Sequence, residues 1–265
     1  MLAPSHLPRL LGLLTVGLTV SLHAQQPVVP GPSFKDIMDL RDIGGAAIAP
    51  DGNAVAYTVR TTDWDENGYD TEIWLVRLGE QPFQLTYTND GSSTSPAWSP
   101  DGKWLAFAAD RGNKRQIHLI NPNGGEAWAL TESEDGVGSF QWSPDGSHIA
   151  FTSSEPESEA DKKREDTYGA YAVEDQEYRL SHLWMVELPD ARGTVEATRL
   201  TESDEFTVTG FSWSPDGRQI AFVLQPDPLI NSWMGADISV LDVASGEVRI
   251  LVDADGPQSN PTWSP

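Results

Sequence analysis

Trp98-Ser-Pro-Asp-Gly102, running on into Lys103-Trp-Leu-Ala-Phe107, is the stretch that decides the fold. Pro presets φ at the first corner of a turn, Asp bonds nearby backbone at the second, and Gly accepts the exit geometry. Strand-like residues before it (Ser95–Ser99) and after it (Lys103–Ala109) are therefore predicted to pair as a hairpin. The same pattern stands at Ile48-Ala-Pro-Asp-Gly52, Trp142-Ser-Pro-Asp-Gly146 and Trp213-Ser-Pro-Asp-Gly217, and begins again at Trp263-Ser-Pro265. Its first positions are spaced by 50, 44, 71 and 50 residues.

Each full copy leads into a short run that ends small-then-aromatic: Val55-Ala-Tyr57, Leu105-Ala-Phe107, Ile149-Ala-Phe151 and Ile220-Ala-Phe222. A second apolar run follows (Ile73–Leu78, Ile117–Ile120, Leu183–Leu188, Ile238–Val243), and a third closes the unit at Leu85-Thr86, Leu130-Thr131, Leu200-Thr201 and Leu251. Asn121-Pro-Asn-Gly-Gly125 supplies a further turn between the second and third runs. Four antiparallel strands repeated about every 40–50 residues predict propeller blades. The expected architecture is an all-β propeller that is incomplete, with blades near 45–88, 95–131, 138–201 and 208–252 and a fifth beginning at 260. Trp98, Trp142 and Trp213 are expected to pack blade against blade. An open arc would expose the apolar faces of its first and last blades.

Composition narrows the function classes. The chain has 265 residues, 17 Lys and Arg against 40 Asp and Glu, a formal net charge of −23 and no cysteine. Disulfide scaffolds, thiolate metal sites and a cysteine nucleophile are excluded. With no excess of cations to release counterions, nucleic acid and anionic membrane are not expected partners. Residues 1–24 carry one charge, Arg9, then an apolar run Leu10–Leu22 too short to span a bilayer, and read as a secretory signal peptide. Export to a periplasm or the medium follows from that reading. Residues 25–44 are a Pro-rich linker and short N-terminal segment, with one short helix expected at Phe34–Leu40.

The Trp-Ser-Pro-Asp-Gly-x-x-Ile-Ala-Phe repeat with its closing Leu-Thr resembles the propellers of the translocation protein TolB and of the prolyl oligopeptidase family. The second group includes dipeptidyl peptidase IV and acylaminoacyl peptidase. The long blade spacing favours the peptidases, as does the charged insert Ser154–Ser181 ahead of His182-Leu-Trp184. That resemblance implies the N-terminal propeller of a secreted serine peptidase acting on short peptides, gating and orienting them for an α/β-hydrolase domain with a Ser-Asp-His triad. No Gly-x-Ser-x-Gly elbow occurs in these residues, so the resemblance places no catalytic residue here, and the chain alone is expected to be inactive. No cofactor is implied. The other implied reading is a TolB-like, non-enzymatic platform for protein interactions.

Two constellations remain. The insert holds nine acids and three bases between Glu155 and Glu177. Its functional reading is substrate contact: Glu174 and Asp175 would pair with a peptide's N-terminal ammonium, and Arg179, with Tyr178 beside it, would meet a carboxylate or carbonyl. A solvated charged loop is the plain alternative. Asp63-Trp-Asp-Glu-Asn-Gly68 offers Asp63, Asp65 and Asn67 at the first oxygen positions of a calcium loop, but Trp74 stands where a bidentate Glu belongs. A polar hairpin loop is the expectation there, and no metal is predicted. His118, His148 and His182 fall in or beside strand runs and are read as structural.

Overall fold

A computed structural model describes residues 31–88, 91–111, 114–169, 178–252 and 254–264. It divides into two units, up to residue 38 and from residue 39 onward. In the first, helix α1 (Phe34–Met38) is closed by reciprocal capping: the Asp36 amide donates to Ser33 Oγ (3.2 Å) and the Ser33 amide to Asp36 Oδ2 (2.8 Å).

The second unit consists of four separate four-stranded antiparallel sheets, each a run of consecutive strands. Blade one is β1 (Asp42–Ile48), β2 (Ala54–Asp63), β3 (Gly68–Arg77) and β4 (Phe83–Gln84); blade two is β5 (Ser93–Trp98), β6 (Leu105–Ala109), β7 (Gln116–Ile120) and β8 (Trp128–Ala129). Blade three is β9 (Phe140–Trp142), β10 (His148–Ser154), β11 (Ser181–Glu187) and β12 (Thr198–Arg199); blade four is β13 (Thr207–Trp213), β14 (Gln219–Gln225), β15 (Asp237–Asp242) and β16 (Val248–Val252). This is the β-propeller arrangement the repeat predicts. Three edge strands are only two residues long and end just before the Leu-Thr pairs in which the sequence places the third runs; short edges offer little backbone for unwanted pairing.

The Ile-Ala-Phe run shows why the sheets stack in sequence. Side chains alternate across a strand. Leu105 and Phe107 pack with Ala56, Ile73 and Leu75 of blade one, while Ala106 between them packs with Trp142, Ile149 and Phe151 of blade three. Blade three repeats this: Ile149 and Phe151 turn back to blade two, and Ala150 turns forward to Phe211, Trp213 and Phe222 of blade four. The second strands of blades two and three therefore present bulk to the blade before and a small residue to the blade after. Phe107, Phe151 and Phe222 are fully buried by this fit, worth roughly 1.5–3 kcal/mol each.

The Ser-Pro-Asp-Gly turns are built alike. Ser99, Ser143 and Ser214 donate their hydroxyls to Asp101, Asp145 and Asp216 at 2.7, 2.6 and 2.7 Å. The same Ser oxygens accept the amides of Trp104, His148 and Gln219. Hydroxyl donors on Asp145 and the Lys103 and Ser99 side chains on Asp101 hold both carboxyls down to about 2. Gly102, Gly146 and Gly217 take φ of 72°, 72° and 70° and sit against Pro50, Pro100 and Pro144 of the preceding turn, so the turns stack Gly on Pro.

Two further devices bind the repeat. The indole of Trp98 donates to Ala47 O (3.0 Å), that of Trp142 to Ala97 O (3.1 Å) and that of Trp263 to Ser212 O (2.9 Å), each crossing to the preceding motif. In blades one to three the closing Leu-Thr grips one residue of the third strand from both sides. Leu85, Leu130 and Leu200 donate their amides to the carbonyls of Ile73, Ile117 and Leu183, whose own amides donate to Thr86, Thr131 and Thr201 Oγ1.

Candidate functional site

Antiparallel order puts the Ser-Pro-Asp-Gly turns on one rim of the sheets. The loops joining second to third strands, and the connectors between blades, lie on the other. On that second rim the residue just before each gripped position is Glu72, Gln116 and His182. Glu72 accepts from the Thr86 and Thr88 hydroxyls and the Thr88 amide. Gln116 Oε1 likewise accepts from the Thr131 hydroxyl (2.8 Å) and the Ser133 amide (2.9 Å). Blade three breaks the series: His182 is an imidazole in a place otherwise held by an acceptor oxygen.

His182 is wholly buried. Its Nδ1 lies 3.4 Å from Thr201 Oγ1, and its Nε2 lies 3.4 Å from Glu155 Oε1 without the alignment of a hydrogen bond. The same Glu155 oxygen accepts from Arg199 Nη2 at 2.9 Å. Arg199 spans the strand pair, its guanidinium 5.8 Å from the ring of Trp184 opposite. Burial, then the Arg199 charge, pushes the His182 pKa down despite Glu155.

This cluster sits where the insert leaves and rejoins blade three. The insert is not all loop: Glu159–Tyr168 form helix α2, with the Asp161 amide donating to the Ser158 hydroxyl as N-cap and no residue buried. Its two ends are held together by Glu155 N to Leu180 O (2.8 Å) and Arg179 Nη1 to Glu155 O (3.2 Å), while the Arg179 guanidinium also pairs with Asp135. Arg179 thus already meets a carboxylate and a carbonyl of its own chain. Tyr178 is 43% exposed beside it, and Glu174 and Asp175 lie outside the described residues.

Next to these ends a cavity of about 560 Å³ opens between blades two and three. Trp184 lines it with Glu132, Glu134, Asp135 and Glu196, so an indole and carboxylates share one recess. An aromatic and acidic recess suits a cationic group better than an anion. Sequence reading did not find Asp135, Glu155 and Arg199, because they meet only through strand register and the return of the insert.

The calcium half-match resolves as a hairpin tip. Asp63 Oδ1 accepts the amides of Asp65 (2.9 Å) and Glu66 (3.0 Å), and Asn67 takes a φ of 52°. Among the described residues no group of three or more acidic or histidine side chains is gathered as for a metal ion.

Residues 35–168, half of the chain, match the model of the TolB beta propeller domain. The chain belongs to that family. This TolB-type propeller is 28% identical over 200 residues to the uncharacterized peptidase YuxL of Bacillus subtilis, covering 71% of this chain and 30% of that protein. It is 26% identical over 253 residues to dipeptidyl-peptidase 5 of Porphyromonas gingivalis, covering 86% and 36%. The propeller chain thus spans about a third of the length of these curated relatives. In fold it resembles acylaminoacyl peptidase of Pyrococcus horikoshii, with TM-score 0.60, 17% identity and coverage of 82% of this chain and 33% of that one. It also resembles TolB from Acinetobacter baumannii, with TM-score 0.52, 20% identity and coverage of 83% and 44%.

Proposed function

We propose that this propeller is the N-terminal part of a secreted serine peptidase of the prolyl oligopeptidase type, which admits and orients short peptides for a hydrolase domain. The observation that carries the reading is the match to two peptidases over 200 and 253 residues. The insert on the loop rim, rooted beside an acidic and aromatic recess, is the part of the propeller suited to meet a peptide's free amine. Glu174 and Asp175 are its proposed carboxylates, with Tyr178 and Arg179 at its returning end. The signal-like first 24 residues support export to a periplasm or the medium.

The test is the full-length protein carrying this chain, assayed with chromogenic dipeptide and N-acylated amino-acid substrates and labelled with a serine-reactive fluorophosphonate. Hydrolysis with labelling is expected, and replacing Glu174 and Asp175 together raises KM for free-amine substrates only. Absence of both hydrolysis and labelling overturns the peptidase reading. It favours a non-enzymatic interaction platform instead, a reading supported by the TolB domain match.

A further inference from the structure

We propose that His182, Glu155 and Arg199 form an acid-released latch on the two chain ends through which the insert leaves and re-enters blade three. Three observations carry it. The position is structural in blades one and two, where Glu72 and Gln116 accept hydrogen bonds from the residues that close the blade. Blade three alone puts a titratable ring there, and buries it completely. Its partner Glu155 is the residue that also pairs with Leu180 and Arg179 to hold the insert's ends together.

The groups around the ring set the direction of the response. From the segment after β10 comes Glu155; from β12, Arg199; from the connector that follows, Thr201, Glu202 and Phe206, the last in edge contact at 5.8 Å. Ser153 stands opposite His182 across β10 and is occupied by the Gly136 carbonyl (2.7 Å). Arg179 reaches the cluster through the Glu155 carbonyl and carries Asp135 with it. Glu202 is 84% exposed and 3.9 Å from Arg199, so it adds little inside.

At neutral pH the neutral ring leaves Glu155 to Arg199. A proton on His182 would place a second cation beside Arg199 on one carboxylate, with the ring itself wholly buried and its partners half-buried. Burial and the Arg199 charge oppose uptake despite Glu155, so a proton binds more readily once the segment opens and water reaches the ring. Protonation and release of the insert's ends are thus linked.

The test is amide hydrogen exchange of this chain from about pH 7.5 to about pH 5, each rate divided by the intrinsic chemical rate at that pH. Exchange over residues 155–168 is expected to rise about threefold or more as the ring titrates, while amides of β6 and β7 stay protected. His182→Gln, which installs the residue that blade two uses at this place, removes the rise. Should that variant not fold, the NMR titration of His182 in the unaltered chain decides, its midpoint coinciding with the exchange midpoint. Exchange that is flat with pH, that rises equally in β6 and β7, or whose midpoint departs from the ring's overturns the latch.

Discussion

The Trp142 indole donates to Ala97 O at 3.1 Å, while the same atom of Trp213, one motif later, is buried with no hydrogen-bond partner. At that junction Gln141 Nε2 bonds Phe211 O (2.8 Å) and links blade three to blade four by another route. Identical motif letters therefore carry different energies. Trp142→Phe removes the indole bond to Ala97 O and is expected to cost about 0.5–1.5 kcal/mol more than Trp213→Phe, which removes an N–H already unpaired. Urea unfolding of the two variants measures the difference. Equal losses would show that the indole bond contributes nothing beyond packing.

Thr131 is the second test of the repeat. Its hydroxyl accepts the buried Ile117 amide at 2.9 Å. Thr131→Val keeps the shape and orphans that donor, so a loss of about 1–3 kcal/mol is expected, whereas Thr131→Ser retains most of the stability. Thermal melts of both variants check this, and a valine as stable as the serine would refute the grip.

Glycine at the turns is required for two separable reasons. A methyl at Gly146 would meet Pro100 Cδ at 3.2 Å, but one at Gly52 meets nothing within 4 Å, although both residues have φ near 72° (72° and 73°). Gly52→Ala should cost about 1 kcal/mol of backbone strain, and Gly146→Ala visibly more. Comparable denaturation midpoints for the two would mean that the Gly-on-Pro stack yields freely.

Acid stability follows from the turn carboxylates. Asp101 and Asp145 are held at about 2, below the ordinary value of 3.8, so their contribution is complete above that range. It is lost as pH falls through about 4 toward about 2, because the unfolded chain then binds protons the folded chain resists. Melting temperatures recorded down this window should fall less steeply in Asp145→Asn than in the parent. The effect is small, since both carboxylates are largely solvated. An identical acid limb in both proteins would remove Asp145 from the account.

Much of the architecture was readable because the repeat states it locally. Turn chemistry at Pro100 and Gly102 fixes the hairpin, and alternation through Leu105, Ala106 and Phe107 fixes which face is bulky. Helix α2 escaped notice because it has no apolar stripe; only Ser158 three residues ahead of Asp161 announced its start. The cluster at Glu155, His182 and Arg199 was illegible for a different reason. Its members lie 27 and 17 residues apart, and only β-register brings them together. His182 reads as structural in the sequence because its neighbours are strand residues. Its departure from the acceptor series emerges only when Glu72 and Gln116 are seen to occupy the equivalent place.

The bulk-and-recess faces of blades two and three make the array vectorial. A tandem copy inserted in chain order finds a ready-made socket on its predecessor and supplies one to its successor, whereas a reversed copy would set phenylalanine against phenylalanine. Lengthening such a protein therefore demands only gene duplication, with no new interface to evolve.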